Sequence, residues 1–182
     1  MRHTPSHPAR LALILLAALL FLSAGKTSAQ TPTRVMVDPP LSSVQPGQSF
    51  TVRVMIENVS DLWAYDLKLS FPPSLLQVNA MRNGGFLDAG MLLGPTLDNE
   101  AGTAQLVNTQ MSGSLPKSGS GTLVELDFTA RAALGEGALT ILTGDLVDAT
   151  DYLLIPVELD HGAVRVCDGA ACARVFLPLV TR

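Results

Sequence analysis

The stretch SGSGTLVELDFTAR, from Ser118 to Arg131, decides the fold, because it leads from a glycine-containing turn into a strand with apolar residues at alternate positions. Successive side chains of a strand point to opposite faces of the sheet. One face is predicted to carry Val124, Leu126, Phe128 and Ala130, and the other Leu123, Glu125, Asp127 and Thr129. The first set is entirely apolar, which is typical of a strand with one buried face.

The chain on both sides of this strand has the same character. Turn signals such as Pro39-Pro40, Pro72-Pro73 and Gly84-Gly85 separate short runs, and no long window has a helical period. The candidate strands are residues 34–38, 50–58, 62–71, 76–81, 102–110, 122–131, 137–144, 153–159 and 162–166. Nine short strands predict an all-β sandwich of two packed sheets.

The aromatic side chains within the candidate strand 62–71 bear on whether the protein could bind sugars. Trp63 and Tyr65 alternate in register with Leu67 and Leu69, so both rings are predicted to pack in the core. The alternative is an exposed aromatic platform that stacks sugars. Tyr152, at the start of a late strand, is the aromatic residue for which surface contact is expected.

The first 29 residues are predicted to be a secretory signal peptide. Arg2 and Arg10 precede the apolar run LALILLAALLFL, and small residues follow it up to a cleavage site between Ala29 and Gln30. Twelve apolar residues are short for a membrane span, although a retained anchor is the alternative. The mature protein is therefore expected to be secreted or held at the cell surface, with no membrane span after cleavage.

Charge and length narrow the classes of function. Without residues 1–29 the chain keeps nine basic and sixteen acidic residues, so it is acidic and is not expected to bind nucleic acid. About 150 residues suit one domain with a sizeable core. The predicted organisation is a single sandwich domain over residues 30–166, followed by a tail over residues 167–182.

Residues that could carry catalysis are few. Of three histidines, only His161 remains after the signal peptide, between Asp160 and Gly162, where a turn residue is expected. The GxSxG motif of a nucleophile elbow does not occur. The chain is therefore predicted not to be an enzyme.

Three aspartates raise the question of a metal. Asp145, Asp148 and Asp151 recur at three-residue spacing and could gather oxygen ligands around calcium. The spacing differs from that of an EF-hand loop, and no glutamate closes it. Solvated loop acids are the alternative interpretation, and no cofactor of the chain itself is predicted.

Two cysteines follow the last candidate strand. Cys167 and Cys172 frame the sequence CDGAAC in a chain expected to be exported, which predicts a local disulfide. The apolar segment that follows, residues 175–181, is too short to cross a membrane. A sorting or attachment signal, an extra edge strand and a frayed end are all open interpretations of this tail.

Five segments of the chain occur in a characteristic order: PGQSFTVRVMIENV, the strand ending in FPPSLLQV, GTAQLVNTQMSG, SGSGTLVELDFTAR and DHGAVRV. In this order they resemble the cohesin family, whose secreted modules bind dockerin domains. The resemblance covers residues 34–166 and implies a nine-stranded jelly-roll sandwich. It also implies a noncatalytic module that recognises a dockerin-bearing extracellular protein in polysaccharide breakdown, with any calcium more naturally carried by the partner.

The resemblance also implies a binding face. The family's recognition strand has an asparagine and an aspartate two residues apart; Asp66 matches the aspartate, whereas Ala64 stands in place of the asparagine. The implied partner-binding residues are Ala64, Asp66, Lys68 and Ser70, with parts of the strands near Leu106, Leu123 and Val157. Direct carbohydrate binding and cell-surface adhesion are the alternative functions.

Overall fold

The computed structural model describes residues 31–87 and 90–172, and almost all regular structure in them is β-strand. A single-turn helix, α1 (Gly169–Cys172), follows the last strand. The ten strands of the described residues are β1 Thr33–Asp38, β2 Leu41–Val44, β3 Ser49–Ser70, β4 Leu76–Asn83, β5 Met91–Asp98, β6 Thr103–Thr109, β7 Lys117–Ala130, β8 Gly135–Asp148, β9 Val157–Asp160 and β10 Gly162–Val166. The predicted all-β sandwich is confirmed.

The longest strand, β3, belongs to both layers of the sandwich. Its first half, residues 49–59, pairs with β1 and β7, and its second half, residues 62–70, pairs with β6 and β8. Register shifts and the positive φ angles of Asn58 and Asp61 mark the crossing between the halves. Bulges of this kind bend a strand and increase its twist, which lets one strand turn from one sheet into the other.

The division of β3 defines two sheets. Sheet one has the order β9-β1-β3-β7-β4 and uses the first half of β3. Sheet two has the order β2-β10-β8-β3-β6-β5 and uses the second half. The strands at the two ends of the domain are also divided between the sheets. β1 and β9 pair in parallel in sheet one, and β2 and β10 pair in parallel in sheet two. Both ends of the domain thus join the two layers.

The strand boundaries differ from the sequence prediction at several points, and of the predicted strand 153–159 only residues 157–159 lie in a named strand, β9. The predicted strands 50–58 and 62–71 are continuous in β3, and the strands β2 and β5 are not predicted. Gly94 and Pro95 interrupt β5 with a register shift between Leu93 and Thr96. Proline cannot donate to a ladder, but an edge strand tolerates it because one side of the strand has no neighbour to bond.

A single hydrophobic core lies between the sheets. Val124, Leu126, Phe128 and Ala130 are buried as the alternation predicts, and Phe128 packs on Phe71 with ring centroids 5.3 Å apart. The assignment of Leu123 to the outer face is wrong, since this residue is fully buried. The pairing of β3 with β7 skips Leu123, so a bulge shifts the alternation there.

Tyr65 connects the two sheets through a buried hydroxyl. The ring is buried as predicted, and its oxygen lies 3.0 Å from the carbonyl of Leu123 and 3.2 Å from Oδ1 of Asn83. Burial raises the pKa of Tyr65 to about 12, because the phenolate would lose its hydration. Trp63 is only half-buried, contrary to prediction, because a register shift between Leu62 and Ala64 changes its phase.

The raised pKa of Tyr65 makes the stability of the domain depend on pH at alkaline values. Above pH 10 the tyrosine of the unfolded chain loses its proton, while the folded state keeps it up to about pH 12. The free energy of unfolding should therefore fall by roughly 2–3 kcal/mol over this range through Tyr65 alone. Urea titrations between pH 9 and 12 should show a smaller fall for Tyr65→Phe than for wild type. Tyr152→Phe, at an exposed ring, is the control and should retain the wild-type fall.

The predicted disulfide is present after β10. Cys167 and Cys172 are bonded, with Cα atoms 5.4 Å apart, across the single turn of α1. Cys167 is buried, and its backbone N–H donates to the carbonyl of Val44 in β2. The predicted signal peptide and residues 173–182 of the predicted tail lie outside the described residues. Among the described residues, no helix is long and apolar enough to cross a membrane.

Removal of this disulfide should lower stability without changing the fold. Closing a loop this short restricts the unfolded chain and stabilises the fold by about 2 kcal/mol. The free energy of unfolding from urea titrations should therefore be lower by about that amount in the variant Cys167→Ser/Cys172→Ser. Reduction of the wild type should give the same loss. Reductant should leave the double variant unchanged, and a sensitive double variant would contradict this explanation.

Candidate functional site

The outer faces of the two sheets differ in how far their charged side chains form ion pairs. On sheet one, Arg82 lies 3.1 Å from Glu125 and also pairs with Asp127, and Arg53 lies 3.3 Å from Glu125. The Arg82 hydrogen bond and a second one from Thr51 hold the pKa of Asp127 below its ordinary value. The arginines and carboxylates of β3, β4 and β7 on this surface are therefore paired with one another.

The outer face of sheet two consists of rows that run across the strands, because residues in register share a face. The apolar row is Leu154, Val147, Ala64, Thr109 and Met91. The acidic row beside it is Asp145, Asp66, Val107 and Leu93. Two polar rows follow, Thr143, Lys68, Gln105 and Thr96, then Thr140, Ser70, Thr103 and Asp98. The face thus changes from apolar to polar along the strands.

The charges of this face are left without ionic partners. Asp66 and Asp145 stand opposite each other on β3 and β8. The amide of Gln105 donates to Asp66 at 2.7 Å. Within residues 31–87 and 90–172, neither aspartate nor Lys68 has an ion pair within 4.0 Å. Like charges directly opposite on neighbouring strands destabilise a sheet, so this arrangement is unfavourable in the free domain.

The apolar end of the face is strongly exposed. Met91 and Leu93 on the edge strand β5 are 53% and 55% exposed, and Leu154, across the sheet, is 63% exposed. Leu154 extends the sheet beyond β8 through a bridge to Val147. Exposed apolar side chains that gather on one face mark an interaction site more often than scattered ones do.

An aromatic pair lies near the same end. Tyr152 is 65% exposed and has a positive φ of 58°, and its ring meets the half-buried ring of Trp63 edge-on, with centroids 6.4 Å apart. A positive φ at a tyrosine is strained backbone. The turn is held by Asp148, whose carboxylate accepts the backbone N–H groups of Thr150 and Asp151.

The structure places the four predicted binding residues together on one face. Ala64, Asp66, Lys68 and Ser70 alternate along the second half of β3 and are partly exposed. The strand of Leu106, β6, lies beside them, whereas the strands of Leu123 and Val157 lie in sheet one and do not contribute. The sequence reasoning missed Met91, Leu93 and Leu154. The sequence feature that could have identified them is a run of three consecutive apolar or aromatic residues, which occurs at 91–93 and again at 152–154 and does not alternate.

The three aspartates proposed for calcium are not brought together. Asp145 lies within β8 opposite Asp66, and Asp148 ends the strand. Asp151 accepts the backbone N–H of Leu153 at 3.1 Å. In the part of the chain that the structure describes, no three acidic, histidine or cysteine side chains are grouped to hold a metal ion. Turn formation accounts for Asp148 and Asp151.

His161 lies between β9 and β10, in the predicted turn position. Its Nδ1 accepts the backbone N–H of Ile141 at 3.2 Å, so this nitrogen has a structural role. The residue borders an open pocket of about 390 Å³. Arg34, which also lines the pocket, is already paired with Asp160 and with Glu57.

Comparisons with known proteins agree with this architecture. The Cohesin domain family model matches residues 35–165. A non-cellulosomal cohesin from the archaeon Archaeoglobus fulgidus superposes with a TM-score of 0.64 at 20% identity, covering 79% of this chain and 96% of its own. The cohesin of the Coh-OlpA-Doc918 complex from Clostridium thermocellum gives 0.65 at 13% identity, covering 75% and 100%. CaCohA2 from Clostridium acetobutylicum gives 0.62 at 20% identity, covering 78% and 95%. No curated protein matches the chain.

The match over most of the chain shows that this protein belongs to the cohesin domain family. Cohesin domains are noncatalytic binding modules, so the chain is a binding protein and not an enzyme. The structural likenesses, all at low identity, confirm the fold.

The opposed aspartates should cost stability in the free domain. Asp145→Asn removes one of two like charges, so the free energy of unfolding at pH 7 should rise by about 0.5 kcal/mol, and by less at high salt. Urea unfolding at low and high salt measures this. Glu100→Gln removes an exposed carboxylate from the turn after β5 and is the control. Equal effects of the two variants would show that general charge reduction, not the opposed pair, is responsible.

Proposed function

We propose that this chain is a secreted, noncatalytic cohesin module that binds a dockerin-type protein through the outer face of sheet two, within extracellular polysaccharide degradation. The observation that carries the proposal is the contrast between the two outer faces. On sheet one, Arg53 and Arg82 pair with carboxylates of β7. On sheet two, Asp66, Asp145 and Lys68 have no ion pair among the described residues, and Met91 and Leu154 beside them are exposed. A partner that covers this second face would satisfy both its apolar and its charged groups.

Solved relatives support a dockerin as the partner. The Coh-OlpA-Doc918 structure from Clostridium thermocellum is a type I cohesin–dockerin complex. The sixth cohesin of scaffoldin B from Acetivibrio cellulolyticus was solved in complex with a Cel5 dockerin variant. The Archaeoglobus fulgidus relative is described as non-cellulosomal, so a cohesin fold also occurs outside cellulosomes.

Export is supported by the sequence and by the disulfide. Residues 1–29 have the charged, apolar and small-residue regions of a signal peptide. Cys167 and Cys172 are bonded, which suits an oxidising compartment outside the cytosol. Together these features support a secreted or cell-surface location.

Direct carbohydrate binding is the second candidate, and the exposed ring of Tyr152 is the observation that favours it. Sugars stack on the flat faces of aromatic rings, but Trp63 and Tyr152 are perpendicular, with an interplanar angle of 89°. The pair therefore offers no shared flat platform. Affinity electrophoresis in soluble glucans, with Tyr152→Ala as the comparison, would reveal such binding as a retardation that the variant loses.

A pull-down tests the dockerin proposal. Residues 30–182 serve as bait for the source organism's secreted proteins, in calcium and again in chelator, with captured proteins identified by mass spectrometry. The expected result is calcium-dependent capture of a protein with paired calcium loops, since dockerins fold around such loops. Asp66→Ala should reduce the capture about tenfold or more, because it removes a central polar acceptor of the face.

The matched control is Glu158→Ala, which removes an exposed carboxylate from sheet one. It should capture the same protein as wild type, and thermal melts should show that both variants remain folded. Absence of any calcium-loop protein from the wild-type bait in both buffers would overturn the dockerin proposal. Equal losses of capture for Asp66→Ala and Glu158→Ala would show that the outer face of sheet two is not the binding surface.

A further inference from the structure

The strand β4 ends sheet one on one side, and a side chain bonds to its outer edge. Among the described strands β4 pairs only with β7. The amide of Asn99 donates to the carbonyl of Val78 at 3.0 Å, and its Oδ1 accepts the N–H of Val78 at 2.8 Å. A residue of a neighbouring strand makes the same two bonds with its backbone. Asn99 therefore takes the place of a one-residue strand on this edge.

The backbone groups of Leu76, two residues before Val78, are bonded as well. The N–H of Leu76 donates to the carbonyl of Pro72 at 2.9 Å, and its carbonyl accepts Nε–H of Arg131 at 3.1 Å. Alternate residues of a strand direct their backbone groups to the same side, so Leu76 and Val78 share the outer edge. Both positions are thus closed to another chain, and Asn99 closes the second of them alone.

The turn that carries Asn99 is held from two sides. The carboxylate of Asp98 accepts two backbone N–H groups of the same turn, at 2.9 and 2.8 Å. The carbonyl of Gly102, where the turn ends, accepts the N–H of Phe71 at 2.8 Å. An aspartate that bonds the backbone ahead of it stabilises a turn. The amide of Asn99 is therefore held opposite β4 by a turn that joins two strands of sheet two.

The sequence of β4 gives this edge no charge before Arg82. Edge strands are usually protected from pairing with other chains by charged side chains, proline or bulges. Residues 69–81 contain no charged residue, and their prolines, at 72 and 73, precede the strand. A register shift between Val78 and Ala80 marks a bulge directly beside the Asn99 contact. Uncharged, largely apolar segments pair readily when their edge is open, so protection here depends on the bulge and on Asn99.

We infer that Asn99 closes the edge of β4 against strand pairing with a second copy of this chain. Loss of its amide frees the N–H and the carbonyl of Val78 together. An exposed pair of this kind bonds to the identical edge of another molecule in antiparallel direction, which joins two copies about a two-fold axis. The inference is independent of the proposed function, because it concerns the edge of sheet one and not the outer face of sheet two.

The experiment compares Asn99→Ala with Asn79→Ala in residues 30–182. Asn79 lies on β4 and donates to Oγ1 of Thr129 at 2.9 Å, so its loss removes a side-chain bond and frees no backbone group. In sedimentation velocity from low to high micromolar concentration, wild type and Asn79→Ala should stay monomeric, and Asn99→Ala should associate increasingly. At low concentration, the amide hydrogen of Val78 should exchange about tenfold faster or more in Asn99→Ala alone.

Charged variants test whether the association uses this edge. Asn99→Asp keeps an acceptor for the N–H of Val78 but turns the donor into a second acceptor, so it should unfold at lower urea than wild type. It should nevertheless stay monomeric, because its carboxylate protects the edge. Asn99→Ala/Gln77→Lys places an ammonium group at an exposed position of β4 and should also be monomeric.

Thermal melts establish that each variant is folded. If Asn99→Ala does not fold, Asn99→Ser replaces it with the same expectations, since one short hydroxyl does not reproduce the paired bonds of the amide. A folded variant that stays monomeric at every concentration would overturn the inference. Association that persists in Asn99→Ala/Gln77→Lys would overturn it too, because another surface would then join the copies.

Discussion

The passage of β3 from one sheet into the other is the constraint on which the rest of the structure depends. Residues 49–59 and 62–70 are one continuous strand, so the two sheets cannot separate without breaking it. The crossing also decides the contacts of Tyr65, which lies in sheet two and reaches the carbonyl of Leu123 in sheet one. The two layers consequently share one core, and the parallel pairing of the first and last strands closes it.

This constraint also separates a structural surface from a binding surface. The first half of β3 places Arg53 among the paired charges of sheet one, while the second half places Asp66 and Lys68 on the face of sheet two. On one outer face the arginines are paired with carboxylates, and the other face exposes an apolar row beside opposed carboxylates. A surface that is unfavourable in the free domain is well suited to a partner that supplies what it lacks.

The sequence predicted elements best where local patterns decided them. Alternation in residues 118–131 assigned the buried face of β7 correctly except at Leu123, and the short spacing of Cys167 and Cys172 predicted their bond. Errors occurred where a bulge changed the alternation, as at Leu123 and Trp63, because one extra residue moves a side chain to another orientation. The strand β5 was not predicted because Gly94 and Pro95 are typical of a turn and interrupt its pattern. In the structure it is a strand through its pairing with β6.

The sequence by itself determined the all-β class, the family, the core positions of regular strands and the alternation that puts Ala64, Asp66, Lys68 and Ser70 on one face. These depend on period and local turn chemistry, which are read along the chain. The tertiary structure alone decided which strands lie beside that face. Met91, Thr109, Val147 and Leu154 join Ala64 in a row only through pairing between distant segments, because register is a property of folded neighbours and not of any one stretch of sequence.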